Sequence, residues 1–148
     1  LTIASVLALA YVMNFSGQTV AMGTFLAGLG PVYAILAPAL GWIGTAVTGS
    51  DTSANALFSK LQVSAAENLH QAGISGATPE LLLAANTTGG VVGKMISPQS
   101  LAIAATSVDM EGKESDILKA VVPWSFAMLV VVCILVFLQT NVLSFLIP

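Results

Sequence analysis

Charge is what this chain has least of: its four Lys and seven acidic residues are 7% of 148 positions, where an ordinary soluble domain carries roughly a quarter. No charged residue and no histidine occurs from Leu1 to Ser50 or from Ala120 to Pro148, so all eleven charges fall between Asp51 and Lys119. With no basic cluster, nothing points to nucleic acid. The single cysteine, Cys133, excludes an internal disulfide and a cysteine metal site, and it reads as a helix-packing or lipid-contact residue. The single histidine, His70, sits in a polar connector rather than in an apolar segment, so no buried base is present for serine-type hydrolysis. An intramembrane aspartyl protease needs two buried acids, yet Asp109 and Asp116 belong to the charged run 109–116. Neither a metal site nor a cofactor is expected. An initiator Met and a basic n-region are also lacking, so the opening apolar stretch does not read as a signal peptide, and the chain is expected to be a piece of a longer one.

What is present is apolar helix. Apolar residues make up 56% of the chain, which predicts an all-α, polytopic membrane bundle forming a single transmembrane domain over 1–148. Residues 1–30 read as a spanning helix and connector, with a turn at Asn14 to Gly17. Residues 31–70 read as a re-entrant helical hairpin: Pro31 to Thr48 is apolar over about 18 residues and approaches the ~30 Å hydrocarbon thickness. The chain then turns at Gly49 to Thr52 and resumes a helical pattern. On that second arm Ala54, Leu57, Phe58, Leu61, Ala65 and Leu69 share one face, with Lys60, Gln62, Ser64, Glu67 and Asn68 elsewhere. Residues 78–108 read as a discontinuous helix. Thr78-Pro79-Glu80 is a strong start, with a capping hydroxyl, Pro at the first position and an acid in the first turn. The glycines at 89, 90 and 93 are expected to end it near Asn86, and Ser97-Pro98 starts the second half. Residues 117–148 read as the last spanning helix, with Pro123 as a kink or entry position and Trp124 at the interface.

Two polar islands interrupt this pattern, Gly49 to Asn55 and Asn86 to Gln99. A lipid-exposed break leaves backbone groups unpaired at several kcal/mol each, so such breaks survive where they line a protein cavity. Both islands are therefore candidate walls of a binding site. Helix N-termini at Ser50 to Ser53 and at Ser97 to Gln99, together with the positive charge of Lys94, would complement a small carboxylate. The candidate substrate contacts are Ser50, Thr52, Ser53, Asn55, Asn86, Thr87, Thr88, Gly89, Gly90, Lys94, Ser97 and Gln99. Asn55, Asn86, Thr87 and Thr88 both donate and accept, which suits a hydroxyl beside a carboxylate. Asp51 is the candidate proton carrier, because desolvation opposes its charged form and lets it cycle between neutral and charged. Two plainer readings of Asp51 are a helix cap and a permanent ion pair with Lys94. The run Gly89-x-x-x-Gly93-Lys94 is one residue short of a phosphate loop and has Met95 where Ser or Thr is required.

The residues of both islands, with Gly41-Trp42 ahead of the first, Ala56-Leu57-Phe58 after it, Ala84-Ala85 ahead of the second and Ser100 after it, closely resemble the bacterial L-lactate permease family. Gly112 to Asp116 and the terminal Ile147-Pro148 match it as well. The resemblance covers the whole chain and implies proton-coupled uptake of L-lactate, and often glycolate, across the bacterial inner membrane. It implies that this chain is the C-terminal part of a longer carrier, whose N-terminal part supplies the other half of the site. It also suggests kinship with ion transporters built from two inverted halves, each with a hairpin and a broken helix. Ser50-Asp51-Thr52 has an acid where that group has Asn, which favours a proton over sodium. Two other functions share the architecture: a carrier of another small organic anion, and a cation/proton antiporter using Asp51.

Overall fold

Glycine, proline and capping hydroxyls set where most of the helices begin, end and touch. The computed structural model describes residues 2–74 and 76–143, and of residues 2, 3 and 6 the backbone alone; Ile147-Pro148 and the end of the expected last helix lie outside the described residues. Among the described residues the regular structure is entirely helical. The order is α1 (Thr2–Phe15), α2 (Gln18–Ala27), a 3-10 turn (Gly30–Val32), α3 (Tyr33–Thr48), α4 (Asp51–Gln71), α5 (Pro79–Lys94), α6 (Pro98–Ser107) and α7 (Glu114–Asn141). Gly17 makes the α1–α2 turn at φ 76° and Gly49 the α3–α4 turn at φ 71°, a left-handed conformation that costs any residue with a Cβ roughly 1–2 kcal/mol.

The expected start signals act as caps. Ser50 Oγ accepts from Ser53 N at 3.3 Å, Thr78 Oγ1 from Leu81 N at 3.2 Å and Ser97 Oγ from Ser100 N at 3.3 Å. Each pairs an amide that the first turn of a helix leaves without a partner. Helix α7 begins at Glu114, earlier than the expected 117, because Glu114 and Asp116 fall in its first turn, where the helix dipole favours acids. Pro123 consequently lies inside the helix rather than at its entry.

One expectation is corrected. The helix from Pro79 does not stop near Asn86, and the glycines at 89–93 are not unwound: α5 is continuous to Lys94, and the break falls at residues 95–97. Three interior glycines weaken a helix by about 1 kcal/mol each relative to Ala, but here they permit contact with α3. A Cβ at Gly89 would lie 1.9 Å from the Pro38 carbonyl oxygen, one at Gly93 2.2 Å from that of Trp42, and one at Gly41 1.8 Å from that of Asn86. Backbone thus meets backbone on both sides, the close approach that small residues four apart allow between membrane helices. The α3–α5 contact is the most extensive between any two helices.

Around that pair, α4 packs Leu61, Ala65, Ala66 and Leu69 into a core with Tyr33, Ala37, Leu81, Leu82 and Ala85. Helix α2 lies against α4 at Gly23, where a Cβ would meet Ser64 Oγ at 2.8 Å. Helix α7 is tied on by polar bonds: Trp42 Nε1 donates to Ser125 Oγ at 2.9 Å, and Ser125 Oγ donates to the Val92 carbonyl at 3.0 Å. Beyond its charged first turns the outward surface of α7 is mainly apolar, with Phe126, Met128, Val131, Ile134 and Leu135 exposed. Among the described residues two segments, Gly30–Thr48 and Glu114–Asn141, are long and apolar enough to cross a membrane.

Candidate functional site

Asp51 opens α4 directly after the Gly49-Ser50 turn, and from its carboxylate a hydrogen-bond chain runs into the bundle. Asn55 Nδ2 donates to Asp51 Oδ2 at 3.1 Å, and Asn86 Nδ2 donates to Asn55 Oδ1 at 2.7 Å. Gln62 Nε2 donates to Asn86 Oδ1 at 3.2 Å and lies 3.4 Å from the Ala37 carbonyl. Tyr33 Oη closes the chain by donating to Gln62 Oε1 at 2.7 Å. Tyr33, Gln62 and Asn86 are fully buried. The direction follows from chemistry: an ionised carboxylate only accepts, so Asn55 must turn its amide nitrogen to it, and each amide then forces the next. Every donor in the chain faces Asp51.

The other carboxylate oxygen has a different environment. Asp51 Oδ1 and Thr45 Oγ1 are both buried and without a hydrogen-bond partner among the described residues. They converge on Gly90, where a Cβ would lie 2.0 Å from the first and 2.7 Å from the second. Gly90 therefore leaves room for the carboxyl group between α3 and α5. The side of the chain towards solvent is Thr87, whose exposed hydroxyl lies 3.2 Å from Asn55 Oδ1 and 3.1 Å from the Leu83 carbonyl. Its one hydrogen can serve only one of them.

A second cluster forms at the end of α5. The Lys94 ammonium donates to the Gly49 carbonyl and lies 3.4 Å from Gln99 Oε1. Lys94 so bridges the carboxyl end of α3, which carries the negative pole of that helix, to the start of α6. It makes no ion pair with Asp51: the ion pair among the described residues is Lys119 with Asp116, at 3.7 Å on the surface of α7.

Of the residues expected to contact a substrate, the fold brings Asn55, Asn86, Thr87 and Gly90 around Asp51, and Lys94 and Gln99 around Gly49. Ser50 is committed to capping α4. Ser97 is fully buried, with its hydroxyl on the Lys94 carbonyl and on Ser100 Oγ, each at 3.0 Å. Gly89 packs against α3. Thr88 is exposed and back-bonds to the Ala84 carbonyl at 2.8 Å; Thr52 is exposed and Ser53 buried. Reading the sequence alone misses Gln62, which it assigns away from the apolar face, and Tyr33 and Thr45, which it does not single out. One signal was available: Asp51, Asn55 and Gln62 are spaced by four and seven residues, so they share a helix face.

The arrangement holds a titratable acid at a helix break, oriented by amides, beside exposed groups that can bind a polar ligand. Among the described residues no group of His, Cys, Asp and Glu could hold a metal ion.

The family model for L-lactate permease matches residues 1–143. The chain is 48% identical over all of its length to an L-lactate permease of Bacillus subtilis, of which it covers 25%, and 46% identical over 99% of its length to one of Escherichia coli, of which it covers 26%. It is also 43% identical over 97% of its length to a glycolate permease of Escherichia coli, again covering 25% of that protein. The chain thus spans about a quarter of the length of the curated relatives it matches. No solved structure matches it significantly.

Proposed function

The chain belongs to the L-lactate permease family, and we propose that it is the C-terminal quarter of a carrier that moves L-lactate, and short 2-hydroxy monocarboxylates such as glycolate, across the bacterial inner membrane together with a proton. The observation that carries the proposal is the buried amide chain ending on Asp51. An acid at a break between apolar helices is costly unless it works, and ionisable groups in such places mark ion pathways. Asp51 is the proton carrier, and the exposed flank of the chain, Asn55 and Thr87, with Lys94 and Gln99 across the turn, contributes to the carboxylate and hydroxyl contacts. Asn86 holds Asn55 through its side-chain amide, Gly89 and Gly90 let α3 and α5 approach, Ser50 and Ser97 cap the two helix starts, and Thr52, Ser53 and Thr88 complete the same wall.

In this reading α3 and α4 form a re-entrant hairpin with its tip at Gly49-Ser50, α5 and α6 are the halves of a broken helix, and α7 spans the bilayer. The remainder of the multi-pass carrier supplies the facing half of the site. This arrangement agrees with transporters in which half-helix ends meet at the bilayer midplane.

Uptake of labelled L-lactate by the complete carrier in vesicles, with and without an inward proton gradient, tests the proposal. Accumulation that follows the gradient is expected. Gradient-independent uptake would remove the proton, and proton-driven cation movement with no lactate uptake would favour an antiporter.

Lys94→Gln is expected to raise the apparent KM for lactate. The amide keeps a donor for the Gly49 carbonyl and loses the charge, and because charge-assisted bonds are about twice as strong as neutral ones the change is roughly five- to tenfold. An unchanged KM would leave Lys94 as a clamp on the hairpin turn alone.

A further inference from the structure

Resting on the assignment of Asp51 as proton carrier, we propose that Gln62 is the positioning residue that directs the transported proton to Asp51 Oδ1, where Thr45 is its hydrogen-bond partner. Asn55, Asn86 and Gln62 are amides that could each be turned over, and turning all three would reverse the chain and present an acceptor to Asp51 Oδ2. Gln62 prevents this. Its Nε2 lies 3.4 Å from the Ala37 carbonyl, a backbone group that can only accept, so a turned Gln62 would set oxygen against oxygen. Turning Asn86 alone would set two NH2 groups against each other where Gln62 Nε2 and Asn86 Oδ1 now meet at 3.2 Å. The Tyr33 hydroxyl can donate or accept and so does not choose the orientation, but in the one set by the Ala37 carbonyl it donates to Gln62 Oε1 at 2.7 Å and strengthens the line of donors that ends on Asp51.

With the chain so anchored, Asp51 Oδ2 always faces the Asn55 donor, and a proton there would oppose it. The proton therefore adds to a lone pair of Oδ1, which is buried without a partner, and is donated towards Thr45 Oγ1, which is equally without one. No other bond forms or breaks. When the proton leaves, rotation of the Thr45 hydroxyl turns its own hydrogen to the carboxylate. Thr45 and the anchored Asn55 thus both stabilise the charged state, and Gln62 acts through Asn86 and Asn55 without touching Asp51.

Other charged and titratable groups on the helices packed around Asp51 are engaged or exposed. Lys94 of α5 is bonded to the Gly49 carbonyl, Glu80 of α5 is exposed, and Lys60, Glu67 and His70 further along α4 are exposed. Helix α3 offers the Tyr33 phenol at the far end of the chain, and α6 carries no titratable side chain.

The test is the pH dependence of lactate uptake by the complete carrier, with the amount in the membrane measured in parallel, for Gln62→Leu, Tyr33→Phe and Thr45→Val. Each removes support for the charged form of Asp51, so the midpoint of the pH profile is expected to move to higher pH. The shift should be about one pH unit for Gln62→Leu and Thr45→Val, and smaller in the same direction for Tyr33→Phe. A merely structural role would lower the amount or the maximal rate and leave the midpoint in place; an unmoved midpoint in any of the three overturns the inference. If Gln62→Leu fails to fold, Tyr33→Phe, which removes one oxygen, still decides. Asp51→Asn run alongside separates the two levels. If it retains proton-driven accumulation, the assignment of Asp51 itself falls; if it loses accumulation while the other midpoints stay, only the role of Gln62 and Thr45 falls.

Discussion

Asp51→Asn is expected to exchange lactate across the membrane yet fail to accumulate it. Asparagine has nearly the shape of aspartic acid and matches its protonated form: its oxygen can accept from Asn55 Nδ2, where Asp51 Oδ2 now does at 3.1 Å, and its NH2 can donate to Thr45, as a proton on Oδ1 would. The loaded state therefore persists. What is lost is the return of the empty carrier, which in a proton symporter must first release the proton, and an amide has none to release. Counterflow of labelled lactate against unlabelled lactate should stay within a few-fold of the unmodified carrier, while uptake driven by a pH gradient stops at equilibration. Proton-driven accumulation by the mutant would remove Asp51 from coupling and leave it as an acid in the first turn of α4, bonded to Asn55. Loss of binding and exchange together would mark it as structural.

Gly89→Ala should destabilise the carrier far more than Gly17→Ala, although each adds a single methyl group. At Gly89 the added Cβ would lie 1.9 Å from the Pro38 carbonyl oxygen, and the obstacle is backbone, so no side-chain rotation relieves it. Helices α3 and α5 must separate, and with them the link between Gln62 on α4 and Asn86 on α5. Overpacking a well-filled contact costs about 1–3 kcal/mol, and a contact with helix backbone belongs at or above the top of that range. Gly17 has nothing within 4 Å of an added Cβ and carries only the strain of φ 76°, about 1–2 kcal/mol. Thermal unfolding in detergent and the amount of carrier in the membrane should rank Gly89→Ala well below Gly17→Ala. The reverse order would mean that α3 and α5 do not meet through these glycines.

Much of this chain is legible in its sequence alone. Hydrophobic periodicity and the near absence of charge specify apolar helices, because a membrane excludes both unpaired backbone and unpaired charge. The starts at Ser50, Thr78 and Ser97 were readable because capping is a local event, decided by a hydroxyl and amides within three residues. Membership of the permease family was readable from the two islands and agrees with the family match over residues 1–143. Asp51, Asn55 and Asn86 stand out in the sequence because polar side chains in apolar sequence need partners.

What the sequence could not decide is which partners they have. The glycines at 89, 90 and 93 carry the same local signal whether they unwind a helix or press it against another, and only α3, more than forty residues earlier in the chain, makes the second outcome hold. Lys94 reads as a substrate contact or as the ion-pair partner of Asp51 until the Gly49 carbonyl is placed beside it. Gln62 reads as one more polar residue outside an apolar stripe, because a stripe describes one helix and says nothing of what the neighbouring helices present. Its burial against Tyr33, Ala37 and Asn86 is a property of three helices at once. Sequence determined the local chemistry of each segment, since caps, turns and lipid exclusion act within a few residues. The direction of the hydrogen-bond chain, and with it the environment of each Asp51 oxygen, arose only when α3, α4 and α5 were packed together, because an amide's orientation depends on what lies on both of its sides.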